Sequence, residues 1–264
     1  MKSTLDQIEE IKKDGYSIDF STVFNYAFEN YKKIALYSGL IILVFSVVVV
    51  IAIMGLAVAF YGVQSLTQNF LEDFQNQKLT YIQQVISTVS LSAVTALFAP
   101  LGAGFLKMAD CADKDEEFNV STIFTYYKAP YFIQLFSVAF ILGVVSTGIA
   151  YFLDSLGTQF IGTGFSLFIN YFTFFTIPLI IFGNLNAIDA IKSSFVLVSK
   201  NPIIIFCLFI IGYIGSAVGL VGCCIGILFT AVFNTSVTYA TYFSIFNEEE
   251  QQDSIDSIGR SDLE

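Results

Sequence analysis

Residues 201–247 read NPIIIFCLFIIGYIGSAVGLVGCCIGILFTAVFNTSVTYATYFSIFN, 47 consecutive positions without an acid or a base. A helix needs about 20 predominantly apolar residues to cross a hydrocarbon core about 30 Å thick. The run is long enough for two crossings, and Gly215, Gly219 and Gly222 mark where the chain can reverse. Four further uncharged runs cover residues 34–71, 79–106, 129–153 and 155–188. One crossing from each brings the expected total to six, near residues 36–60, 84–106, 131–153, 160–183, 202–218 and 223–246. A membrane β-barrel requires segments of about ten residues that alternate apolar and polar, and Leu40 to Phe60 does not alternate. The expected fold is all-α, an integral membrane helical bundle of six transmembrane helices spanning residues 19–246. A polar N-terminal tail (1–18) and an acidic, disordered C-terminal tail (247–264) flank it.

Composition agrees with this reading. Of 264 residues, 55% are hydrophobic and 13% charged, with a mean hydropathy of +0.72, whereas soluble domains carry about 25% charged residues. The net charge of -10 is not spread over a surface: seven acids follow Phe246, and five fall between Asp110 and Glu117. Met1 to Tyr16 is polar and the first apolar stretch is long, so a cleavable signal peptide is not expected and the first span serves as an uncleaved anchor. Cys111, Cys207, Cys223 and Cys224 form no framework of structural disulfides.

Orientation follows from Lys and Arg near the spans, not from net charge. With six spans, one side receives Lys2, Lys12, Lys13, Lys32, Lys33, Lys107, Lys114, Lys128, Lys192, Lys200 and Arg260, and the other receives Lys78. Eleven against one places both termini in the cytoplasm of a bacterial cytoplasmic (inner) membrane. Tyr31, Tyr131 and Tyr242 fall near the inner ends of spans, and Tyr61, Tyr81 and Tyr151 near the outer ends, the depth that amphipathic aromatic rings favour.

The chain has a weak internal period. Phe20, Val23, Phe24, Ala27, Phe28 and Tyr31 recur at helical spacing before the first span, a pattern suited to an amphipathic helix at the inner interface. Ser21-Thr22-Val23-Phe24-Asn25-Tyr26 returns as Ser121-Thr122-Ile123-Phe124-Thr125-Tyr126, and Ile188, Ile191, Phe195 and Val198 form a third stripe before Lys200-Asn201-Pro202. Two returning spans leave the membrane through Pro100-Leu101 and Pro178-Leu179. The expected plan is three repeated hairpins, each preceded by a cytoplasmic interfacial amphipathic helix.

Candidate chemistry is sparse. The chain has no histidine, which removes His-based acid-base catalysis and His-ligated metal. The apolar runs hold no ionisable acid or base, so no buried proton relay is expected. Amides and hydroxyls cluster at Asn170, Thr173 and Thr176, and at Asn234, Thr235, Ser236 and Thr238. Their plainer reading is hydrogen bonding between helices; the functional one is a weakly polar pathway marked by Asn170, Asn234 and Thr235. Gly212, Gly215, Gly219, Gly222 and Gly226 suit close helix contact. Asp110, Asp113, Asp115, Glu116 and Glu117 read as a solvated acidic loop. Lys32, Lys33, Lys128, Lys192 and Lys200 stand where anionic lipid headgroups attract cations, at about 1 kcal/mol each.

Ala99-Pro100-Leu101-Gly102-Ala103-Gly104, and Ala190-Ile191-Lys192-Ser193-Ser194-Phe195 running on to Lys200-Asn201-Pro202, resemble uncharacterised bacterial six-helix integral membrane proteins. Those are similar to the membrane domain attached to some glycerophosphodiester phosphodiesterases. The resemblance implies a multi-pass fold and carries over no catalytic residue, since hydrolysis in those relatives belongs to a separate domain with His and metal-binding acids.

The expected function is a non-enzymatic scaffold or accessory component working with envelope lipids or a partner complex; the alternative is a permease or lipid transporter. Expected partners are the bilayer, anionic lipids and a membrane protein, with no nucleic acid, metal or cofactor. Reporter domains fused at Asn76 and after Ile255 should read outside and inside; the same side for both would break the six-span topology.

Overall fold

The computed structural model describes residues 3–63, 80–155, 157, 159–221 and 225–260, with side chains described to Phe246. Cys223, Cys224, Gly222, Lys2, Lys78 and the end of the first uncharged run therefore lie outside the described residues. Within them the chain is all-helical, without a strand. In order the helices are α1 (Thr4–Asp14), α2 (Phe20–Tyr61), α3 (Tyr81–Leu97), α4 (Ala99–Asp113), α5 (Tyr131–Ser155), α6 (Gln159–Phe172), α7 (Thr176–Ile181), α8 (Ala187–Lys200), α9 (Pro202–Ala217), α10 (Ile225–Thr230) and α11 (Phe233–Arg260). Short 3-10 segments cover Val120–Tyr127 and Val218–Val221.

Five helical stretches among the described residues are long and apolar enough to cross a membrane: Phe20–Tyr61, Tyr81–Asp113, Tyr131–Leu153, Phe160–Ile181 and Pro202–Val221. The sixth expected crossing divides between short α10 and the first half of α11, a helix that runs on to Arg260 in the acidic segment.

The bundle has two ends with different burial. At one end Ile11, Ala27, Ile34, Ala109, Leu179, Ala190, Leu197, Val237 and Ala240 form a continuous core. At the other, Val44, Ile51, Leu56, Tyr81, Ile82, Phe160 and Val221 are exposed. In water that surface would be far beyond the apolar patch a monomer tolerates; in hydrocarbon it costs nothing. In this outer half α3 packs on α5, α5 on α6, α2 on α10 and α9 on α11.

The inner-face elements depart from three equal interfacial helices. The first stripe and the first span are one 42-residue helix, about 63 Å long at 1.5 Å per residue, because neither Pro nor Gly intervenes between Phe20 and Ser38. Asp19 caps it by accepting from the Thr22 N–H, a bond that holds its carboxyl pKa below the usual value. The second stripe is the 3-10 segment ending before Pro130. The third is a true helix, α8, stopped ahead of Pro202. On α8 the small residues Ala187, Ala190 and Ser194 face the core while Ile188 and Phe195 face outward.

The N-terminal segment is not a free tail. Ser3 and Asp6 form a capping box that starts α1, and Ile8 and Ile11 are buried, with α1 packed on α8. Tyr16 donates to the Leu197 carbonyl at 2.8 Å, and burial, with Tyr171 adding, pushes its pKa up. Tyr242, expected at the inner interface, is instead buried against Phe182, Phe243 and Phe246.

Three helical stretches are interrupted. The α3–α4 helix breaks at Phe98, α6 and α7 are separated by Thr173 to Phe175, and α10 and α11 by Ala231 and Val232. Broken helices expose backbone groups that hydrocarbon cannot satisfy, and side-chain hydroxyls close all three. Tyr127 donates to the Leu97 carbonyl at 2.9 Å. Ser194 of α8 accepts from the Phe175 N–H at 3.1 Å and donates to the Phe172 carbonyl at 2.8 Å. Ser216 of α9 accepts from the Asn234 N–H at 3.1 Å and donates to the Ala231 carbonyl at 3.3 Å.

An ordinary hydrogen bond between membrane helices contributes about 0.6 kcal/mol. Ser194→Ala and Ser216→Ala each leave an N–H and a C=O unmet, so each should cost about 1–3 kcal/mol. Unfolding in mixed micelles measures this, with exposed Ser199→Ala within about 0.5 kcal/mol of the parent.

Candidate functional site

A cavity of about 470 Å3 opens among α4, α5, α6, α7, α9 and α11. All three broken crossings border it: Ala99 follows the first break, Thr173, Phe174 and Thr176 span the second, and Asn234 follows the third. Its walls bring together Asn170, Asn234 and Thr235, the residues that mark a polar pathway in the sequence, with Ser146, Thr147, Thr173, Thr176 and Thr238. Leu135, Leu142, Ile169 and Phe209 supply an apolar side. No charged side chain lines it.

The hydrogen bonds of these residues differ from the expected helix-to-helix pattern. Asn170 Nδ2 donates to the Ser166 carbonyl, Thr173 Oγ1 to the Ile169 carbonyl and Thr238 Oγ1 to the Asn234 carbonyl, each four residues back on its own chain segment. Ser146 does reach across, to Ser166 at 3.0 Å. Thr176 Oγ1 and Asn234 Oδ1 are buried and have no protein partner. A buried polar atom left unmet costs about 1–3 kcal/mol, so two of them in one cavity are a cost that a fold seeking only stability would shed.

Glycines bring the wall of α9 close. A Cβ on Gly212 would stand 2.5 Å from Asn234 Oδ1, one on Gly215 would meet the Phe233 ring, and Gly219 and Gly226 face each other backbone to backbone. The glycine spacing read from sequence thus seats α9 against α10 and α11.

A second, larger groove of about 600 Å3 runs between α2, α4 and the 3-10 segment. Apart from Tyr37 and Ser46 its lining is apolar, and Ser46 already donates to the Leu43 carbonyl. It offers nothing to orient a ligand and fits an acyl chain of the surrounding lipid.

The acidic cluster is the main feature that the sequence reading misplaces. Asp110 is not in a solvated loop. It lies on α4 with 2% of its surface exposed, held by Lys107 at 2.6 Å and Lys114 at 2.8 Å. Tyr239 of α11 donates toward Asp110 Oδ1 at 3.4 Å and Asp113 Oδ2 at 3.1 Å, and Tyr26 of α2 donates to the same Asp113 oxygen at 2.7 Å. Beside them Asn30 donates to the Ala109 carbonyl at 2.8 Å and accepts from Ser236 at 3.0 Å. One polar knot therefore joins α2, α4 and α11. Asp115, Glu116 and Glu117 do remain exposed. Among the described residues, no three acids or cysteines come together as metal ligands.

The lysines separate into two groups. Lys32 pairs with Glu29 at 2.6 Å, over the Phe28 ring. Lys33 bridges to Asp115 at 2.7 Å and to the Ala112 carbonyl at 2.9 Å. Lys128, Lys192 and Lys200 are exposed, and Lys192 shares α8 with outward-facing Ile188 and Phe195.

No family model, curated protein or solved structure matches this chain. The reading of the site therefore rests on its own chemistry.

Removing Lys107 or Lys114 alone leaves Asp110 one cationic partner; removing both strands a buried carboxylate. Stranding a buried charge costs about 3–5 kcal/mol, so the double Lys107→Ala, Lys114→Ala variant should lose more than the sum of the singles. Unfolding measured over the four-variant cycle checks this, and strict additivity would contradict it.

Proposed function

We propose that the chain is a multi-pass protein of a bacterial cytoplasmic membrane, with six crossings and both termini inside, and that it passes an uncharged polar group through or along the bilayer. The observation that carries this is the convergence of Asn170, Asn234 and Thr235 on one cavity of about 470 Å3. That volume falls in the range of small-molecule sites. The eleven-to-one distribution of basic residues supports the orientation, and pairing residues 225–246 as a sixth crossing supports an even count. The motifs around Pro100 and Pro202 support kinship with the six-helix bacterial proteins they resemble.

This reading moves ahead of the scaffold because two of the three buried unmet side-chain atoms among the described residues, those of Thr176 and Asn234, belong to this one cavity. The scaffold reading keeps one supporting observation: no residue in the apolar window of α2 is buried, which leaves that length of helix free for a partner helix.

Reconstitution into liposomes tests the proposal. Flux of a neutral polar solute or lipid should fall at least tenfold in Asn170→Leu or Asn234→Leu. Flux indifferent to both substitutions would remove the cavity from the pathway.

A further inference from the structure

Resting on that reading and narrowing it, we propose that the cavity binds a neutral polyhydroxylated group, either a free polyol or sugar or the sugar headgroup of an uncharged lipid.

The hydrogen-bond directions in the cavity point to this class. Thr173 and Thr238 have each donated their single hydroxyl proton to a backbone carbonyl. What they can still offer is oxygen lone pairs. Asn170 has given an amide N–H to the Ser166 carbonyl, and its Oδ1 can accept. Asn234 Oδ1 is an unmet acceptor, and Thr176 is 1% exposed with an unmet hydroxyl. The same walls carry donors in the amide N–H groups of Asn170 and Asn234 and the hydroxyls of Thr147, Thr235 and Tyr213, so the cavity presents acceptors and donors together.

Its complement must both donate and accept. A charged ammonium or phosphate would leave water without a counter-charge, since no acid or base lines the walls. A ligand of carbonyls or ethers has nothing to donate. Hydroxyls do both: they donate to Asn234 Oδ1 and the threonine oxygens, and they accept from Thr176 and from the amide N–H groups of Asn170 and Asn234. An array of oxygens could equally hold a bare sodium ion, but such an ion fills a small part of 470 Å3 and would not contact both sides. The apolar side formed by Leu135, Leu142, Ile169 and Phe209 suits the carbon faces of a sugar ring.

The test uses the full chain in phosphatidylcholine nanodiscs and scintillation-proximity binding of tritiated sorbitol, myo-inositol and glucose. A second arm presents tritiated monoglucosyl diacylglycerol in the disc. At least one probe should bind saturably, and the arm that binds identifies the source. Thr176→Val, almost the same shape, should weaken binding at least fivefold, and Asn234→Leu at least tenfold. Should Asn234→Leu fail to fold, Thr176→Val carries the test. Glucose 6-phosphate should not compete. The proposal is overturned if no probe binds in either arm, if the phosphate competes as well as glucose, or if sodium chloride reproduces the signal without a polyol. Polyol binding without flux would sink the transport reading and leave the ligand class standing. Flux of a solute without hydroxyls, with no polyol bound, would do the reverse.

Discussion

A peptide group has no partner in hydrocarbon except the one the protein supplies, and that constraint organises this molecule. Continuous helices meet it by themselves. The three broken stretches do not, and each break is closed by a hydroxyl from another element: Tyr127, Ser194 and Ser216. Two of these serines do the same double duty, taking an N–H three residues beyond the carbonyl they donate to. Without such closure the interruptions would be too costly to keep, and the cavity they surround would not exist.

The same constraint separates the two ends of the bundle. Near the inner face water is close, so charges, 3-10 turns and capped helix ends are tolerated, and α1, α8 and the 3-10 segment pack into a core like that of a soluble domain. Farther out the surface is Val, Ile, Leu and Phe, with little internal contact because lipid supplies it. The long helix α2 passes through both regimes, with Val23, Ala27, Asn30 and Ile34 buried near its start and Val44 to Phe60 exposed beyond.

Much of this was legible in the sequence. The uncharged runs gave the helical class and the apolar crossings, since length and lack of charge are direct readouts of a bilayer. Asn170, Asn234 and Thr235 stood out because amides are rare in such runs, and they do share one cavity. The details of burial were harder. Lys107-x-x-Asp110-x-x-x-Lys114 puts both lysines within one turn of the acid on a helix, which signals a paired carboxylate; read as part of an acidic run, it looks like loop. Of the stripe Ile188, Ile191, Phe195 and Val198, Val198 is buried and Ile191 packs on the core, while Ile188 and Phe195 face out and Ala187, Ala190 and Ser194 fill the contact. Gly212 and Gly215 announced close contact without saying that Asn234 and Phe233 were the neighbours. The serine closures were not legible at all, since Ser194 and Ser216 are ordinary serines until the breaks opposite them are known.

The polar knot also bears on how the protein is made. Asn30 meets Ser236 across 206 positions, Tyr26 meets Tyr239 at almost the same remove, and Asp110 meets Tyr239 across 129. The first helix and the last therefore share one seam through α4. A chain released before α11 emerges keeps the lysines on Asp110 but lacks the Ser236 and Tyr239 hydroxyls that complete the seam. Such a chain can insert its early spans but cannot finish its inner core, so completion of the fold is tied to completion of translation. A shortened product would bear its unfilled polar seam at the end of the bundle where the core is packed.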